Sequence, residues 1–132
     1  MNTLIRWLIV HVVLFVAVGA GAHFWLKGHP DRILVAVDAS FDMATGWPAV
    51  VELVDSLDDS PGPNTEFALI SDKGAHHGWQ KTLDMKNLQP FGPRNLSAFE
   101  KDGTHATLID EATSRVLITK GDGVSGWSVR KP

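Results

Sequence analysis

Apolar and polar positions fall in blocks along the chain, and the blocks differ in length and period. The first, Trp7 to Leu26 (WLIVHVVLFVAVGAGAHFWL), contains no Asp, Glu, Lys or Arg. A helix of about 20 residues reaches about 30 Å, the thickness of a bilayer core. The second block, Ile33 to Val37, is shorter, unbroken and rich in β-branched residues. Apolar residues without alternation predict a strand buried on both faces, as in a parallel sheet covered by helices. It runs directly into Asp38 and the turn Ala39-Ser40-Phe41-Asp42. Trp47-Pro48 then opens a helix, since Pro is well tolerated in a first turn. Val50, Val54 and Leu57 share one face of it, widened by Val51 and Leu53.

Asp58 to Pro63 ends that helix in a turn. Thr65 to Ser71 (TEFALIS) predicts a second buried strand, Asp72 to Gly78 a loop, and Trp79 to Leu83 a short antiparallel edge strand. Pro90, Gly92 and Pro93 break the chain again. Asn95 is placed to cap a short helix that turns Leu96 and Phe99 inward. Thr104 is placed to cap another, with Leu108, Ile109 and Ala112 on its inner face. Arg115 to Thr119 predicts a further buried strand, and Trp127 and Val129 a marginal last one.

Strands alternating with helices predict an α/β fold. The expected architecture is an N-terminal transmembrane helix and a small Rossmann-like, mostly parallel sheet with an antiparallel edge strand and helices on both faces. Residues 1–27 form the expected anchor, 28–31 a linker and 32–132 the α/β domain. No internal repeat is present.

The anchor has a competing reading. Trp7 and Trp25 stand near its ends, where an aromatic belt is expected, and Lys27 closes it. Ala20-Gly21-Ala22 has the small-x-small form of a signal-peptide cleavage site, which would leave His23 as the first residue. Phe24-Trp25-Leu26 continues the apolar run beyond that site, which favours a retained anchor. Ala17 and Gly21 offer close approach to another helix, a weak pattern. Arg6 before the first apolar segment favours an N-inside signal anchor in the plasma (inner) membrane. The soluble domain is then extracytoplasmic, or periplasmic in a bacterium.

Composition removes several classes of function. The 132 residues carry a net charge of −3 and 20% charged residues, with no basic block to hold nucleic acid. Without cysteine there is no disulfide, thiolate zinc site or Cys nucleophile. No Gly-x-Ser-x-Gly elbow surrounds Ser40, and no glycine-rich phosphate loop follows the first strand. His76, His77 and His105 read as solvated loop histidines rather than a metal cluster, because adjacent histidines of a strand point to opposite faces. Trp47, Trp79 and Trp127 read as packing residues.

The loop after the first strand is the candidate for chemistry. In open α/β sheets the carboxyl ends of the strands carry the ligand sites. Asp38, Ser40 and Asp42 are oxygen-bearing side chains at alternate positions and are able to share one hard cation. The simpler reading of Asp38 and Ser40 alone is that they end the strand and bond nearby backbone N–H groups.

Taken in order, these segments resemble a von Willebrand factor A (vWA) domain. VAVDASFDM resembles its first strand and Asp-x-Ser-x-Ser loop. TEFALISD resembles its second strand, GWQKTLDM its antiparallel edge strand, DGTHATLIDEA the segment that bears its metal-site threonine, and VLITKG its fourth strand. The likeness runs from about Arg32 to Gly121, and the family's later elements are largely missing. It implies a shortened vWA-like fold, with first and fourth strands side by side and a degenerate metal-ion-dependent adhesion site. Asp38 and Ser40 match that site, and Asp42 replaces its last serine. Thr104 matches the threonine, with Thr107 as the alternative. Lys120 stands where the family has an aspartate before Gly121, and Asp122 is a substitute two positions on. An ammonium opposes a cation, so Mg²⁺ binding through Asp38, Ser40, Asp42 and Thr104 is the lesser expectation and no cofactor the greater. Lys120 is instead expected beside Asp38 and Asp42, in place of the metal.

The resemblance implies a non-enzymatic protein–protein interaction domain, an assembly or accessory subunit of a membrane complex. Its expected binding surface is Asp38, Ser40, Asp42, Thr104 and Lys120, with Asp38 on the surface rather than in the core. Two alternatives stand beside it. One is a metal-dependent hydrolase or transferase using Asp38 and Asp42. The other is a structural subunit held mainly by its transmembrane helix.

Overall fold

The computed structural model describes residues 2–132. The chain divides into two compact units, Met1–Pro30 and Asp31–Pro132. The first unit is a single helix, α1 (Thr3–Gly28), with no buried residue. It is long and apolar enough to cross a membrane, a test that a signal sequence also passes. Past its end, the His29 ring stacks on Trp25 at 4.7 Å. The helix takes Gly28 and the first strand takes Asp31, so only His29 and Pro30 are left of the expected linker.

The second unit contains β1 (Asp31–Val37), α2 (Trp47–Leu57), β2 (Thr65–Ser71), β3 (Gly74–Gln80), α3 (Ala106–Glu111), β4 (Ser114–Ile118) and β5 (Ser128–Arg130). Short 3-10 turns cover Phe41–Gly46 and Leu96–Phe99. The sheet order is β3-β2-β1-β4-β5. All neighbours are parallel except β2 and β3. The class is therefore α/β with a mostly parallel, mixed sheet, and β1 and β4 are neighbours.

The non-alternating runs are explained by two cores, one on each face of the sheet. Side chains of a strand alternate between faces. Val35, Val37, Phe67, Leu69 and Ile118 turn to one side and pack with Val50 and Val54 of α2 and with Met43. Leu34, Ala36, Ala68, Ile70 and Leu117 turn to the other and pack with Phe99, Ile109 and Trp127. Trp47 packs against the first core and Trp79 against the second, and the Trp127 indole N–H donates to the Phe99 carbonyl at 2.9 Å.

Three expectations at element boundaries are corrected. The turn after β2 is only Asp72-Lys73, so β3 starts at Gly74 and ends at Gln80 rather than running from Trp79 to Leu83. The Ser71 hydroxyl explains the tightness: it accepts from Lys73 N–H and donates to the Gly74 carbonyl. His76 and His77 consequently lie in an irregular edge strand, not on a loop. Asn95 makes no cap bond to backbone; its side-chain oxygen accepts from the Ser97 hydroxyl. Thr104 does not cap α3. That helix starts two residues later behind His105, which is buried, stacked on Phe99, and directs Nε2 to the Ser71 carbonyl at 3.0 Å.

Candidate functional site

The three central parallel strands each end in an oxygen-bearing residue that is buried. These are Asp38 after β1, Asp72 after β2 and Thr119 after β4. Their side chains meet the loops that leave the sheet. One Asp38 oxygen accepts from Ser40 N–H at 3.1 Å, the turn bond expected of an Asp ending a strand. The other accepts from the Thr119 hydroxyl at 2.7 Å and from Arg94 Nε at 2.5 Å. Asp72 holds two loops at once, accepting from Ala39 N–H and Asn95 N–H, both at 3.0 Å. Its second oxygen also takes the Lys73 ammonium at 3.1 Å.

Arg94 is the centre of the cluster. Its Nη1 lies 3.3 Å from the Asp42 carboxylate, so one guanidinium spans both acids of the first loop. It also lies flat on the β4 loop: a Cβ added at Gly121 would sit 3.2 Å from Arg94 Cδ and Nε. Gly92 turns the chain into position with φ +69°, a conformation that favours glycine. The backbones are joined as well. Phe41 N–H donates to the Gly92 carbonyl at 3.0 Å, and Phe91 N–H to the Ala39 carbonyl at 2.7 Å.

Burial pushes the Asp38 carboxyl upward, but hydrogen bonds from Thr119, Arg94 and Ser40 outweigh it and hold the group below its ordinary value. Arg94 is held more firmly protonated than usual, chiefly by its bond to Asp38.

The expected surface residues part company here. Asp38 is fully buried and Ser40 nearly so, which places both beneath the surface. Asp42 is exposed and paired with Arg94. Lys120 is exposed; its ammonium reaches the Asp42 carbonyl at 3.2 Å and the Thr45 hydroxyl at 3.3 Å, not the carboxylates. The place expected of Lys120 is taken by Arg94. Thr104 is exposed and Thr107 lies on α3; the hydroxyl that meets Asp38 is that of Thr119. Asp122 is exposed.

Sequence reasoning missed Arg94, Thr119, Asp72 and the two aromatics. Asp72 and Thr119 had a signal, since each ends a buried run as Asp38 does. Arg94 had none, in a Pro- and Gly-rich stretch 56 residues from Asp38.

A divalent cation does not fit this arrangement. Both Asp38 oxygens already accept hydrogen bonds, and a guanidinium occupies the side of Asp38 that faces Asp42. Among the described residues, no three His, Asp or Glu side chains are grouped to hold a metal.

On the rim stand Phe41 and Phe91, 67% and 56% exposed. Among the described residues of Asp31–Pro132 they are the only large apolar side chains so open to solvent. The Lys73 ammonium lies 5.6 Å from the centre of the Phe91 ring. Beside Phe41 a depression of about 160 Å³ is lined by Ser40, Phe41, Asp42, Gly92, Pro93 and Arg94.

Set against known proteins, the chain matches no family model, no curated protein and no solved structure.

Proposed function

We propose that this chain is a membrane-anchored, non-enzymatic interaction domain that binds a protein partner through the loops at the carboxyl ends of its strands. The single observation that carries this reading is the exposed pair Phe41 and Phe91, set on loops fixed from below by Asp38, Asp72 and Arg94. Exposed aromatics on an ordered support are characteristic of binding surfaces, where they supply contact area at low entropic cost. The same loops would carry the binding face of a shortened vWA-like domain, the finer fold reading proposed here. The acids at the centre are engaged in structural hydrogen bonds, which favours binding over hydrolysis.

In this reading α1 is a retained anchor in the plasma membrane, and the domain is extracytoplasmic. The face lies at the far end of β1 from Asp31, where the chain enters the domain.

The test uses the full chain in mild detergent, with a photo-crosslinking residue at position 41, 91 or, as control, 52 on α2. One discrete adduct from positions 41 and 91, absent from 52 and lost on Phe91→Ser or Phe41→Ser respectively, is the expected result. A solitary monomer without adducts overturns the reading. Adducts that follow α1 when it is exchanged for an unrelated apolar helix would favour the subunit held by its helix.

A further inference from the structure

We propose that Arg94 is a built-in substitute for a bound divalent cation, tying the loops after β1 and β4 together so that the Phe41–Phe91 face is held in shape without metal. The first loop has the oxygens of a hard-cation site: the Asp38 carboxylate, the Ser40 hydroxyl and the Asp42 carboxylate at alternate positions. Arg94 sits among them with Nε 2.5 Å from Asp38, Nη1 3.3 Å from Asp42, and its stem on Gly121. A planar guanidinium is suited to bridging two carboxylates in this way.

Leftover groups point the same way. The Ser40 hydroxyl is buried and has no hydrogen-bond partner, and neither has Arg94 Nη2. Buried polar atoms are nearly always paired. A cation among Asp38, Ser40 and Asp42 would use the Ser40 oxygen as a ligand; the guanidinium, engaged with the two acids through Nε and Nη1, makes no hydrogen bond to it. Two carboxylates against one guanidinium leave one negative charge, which the Lys120 ammonium faces from the Asp42 carbonyl 3.2 Å away. Removing Arg94 would then open the side of Asp38 that faces Asp42, beside Ser40, to a hard cation, with the Thr119 and Ser40 N–H bonds to Asp38 kept.

This deepens the reading of these loops as a binding face. Its test reads melting and metal rather than partner capture, so either reading can fail alone. The full chain in detergent is melted in EDTA and in millimolar Mg²⁺ or Ca²⁺, as are Arg94→Ala and Arg94→Lys. The native protein should melt at the same temperature in all three. Arg94→Ala should melt lower, by on the order of 10 °C, as expected when a buried pair loses one partner. It should recover several degrees in Mg²⁺ or Ca²⁺. Arg94→Lys, which keeps a positive charge, should melt between the two and ignore the ions.

A native protein stabilised by either ion overturns the proposal. So does a folded Arg94→Ala that melts like the native chain, or one that melts lower and takes no stability from the ions. If Arg94→Ala does not fold, Arg94→Lys decides: a folded, ion-indifferent protein supports substitution by charge, and an unfolded or ion-dependent one refutes it.

Discussion

Strand β1 carries an arginine–carboxylate pair at each end. At its start, Arg32 Nε meets Glu66 at 3.1 Å across the β1–β2 register, with side chains 33% and 26% exposed. Beyond its finish, Arg94 Nε meets Asp38 at 2.5 Å, with side chains 25% and 0% exposed. The Arg32 guanidinium also lies 5.3 Å from the centre of the Trp79 ring. The chemistry is the same and the environment is not. The first pair shares its charges with water and ties one strand to its neighbour. The second has a desolvated carboxylate and joins three segments distant in sequence. Ion pairing alone therefore does not mark a site. Burial of one partner, convergence of several loops and unused polar atoms do.

The largest expected effect tests the contrast directly. Asp38→Ala removes the acceptor shared by Arg94, Thr119 and Ser40. Breaking a buried pair costs about 3–5 kcal/mol, and urea unfolding of the full chain in detergent should show a loss of that order. A loss below about 1 kcal/mol would erase the distinction between the two ends.

Acid sharpens the same contrast. Asp38 has a folded value below its ordinary 3.8. Its contribution is thus complete above the unfolded value and is lost as pH falls through the folded one. Asp42 and Asp72 are the other acids of the cluster, facing Arg94 and Lys73. Stability measured from pH 6 downward should therefore drop below about pH 4, and Asp38→Asn should blunt that drop. An equal slope in the variant would assign the acid response to other carboxylates.

Thr119→Val is the next smaller step. The hydroxyl donates to Asp38 and accepts from Gly121 N–H at 2.9 Å. Its loss leaves a buried acceptor and a loop amide short of one bond each, about 1–3 kcal/mol. Unfolding free energy unchanged by this substitution would mean that the β4 loop is held by its other contacts, Arg94 on Gly121 and Lys120 on the Asp42 carbonyl.

Glu66→Ala should lie at the bottom of the scale, at about 0–1 kcal/mol, and should lose even that in high salt. A cost comparable to that of Asp38→Ala would show the two ends to be equivalent.

Sequence and tertiary structure contributed different things. The apolar runs from Ile33, Thr65 and Arg115 were legible as buried strands, because a strand covered on both faces has no polar alternation to hide it. α2 was legible from Trp47-Pro48 and from Val50, Val54 and Leu57, since a one-sided helix writes its period into the chain. The apolar stretch of α1 was visible from length and lack of charge alone.

The candidate loop was legible too, because Asp38 ends a buried strand where loops gather. What surrounds Asp38 was not. Arg94 reaches it only because Gly92 and Pro93 bend a long connection back over β1, and no local pattern encodes that distance. Thr119 rather than Thr104 meets Asp38 because β4 pairs directly with β1, whereas Thr104 precedes a helix covering one face of the sheet. The β3 boundary was decided by the Ser71 hydroxyl closing a two-residue turn. Periodicity is a property of neighbours in the chain and can be read from it. Which charge meets which acid is decided by contacts across 56 and 81 positions, and those exist only once the sheet has formed.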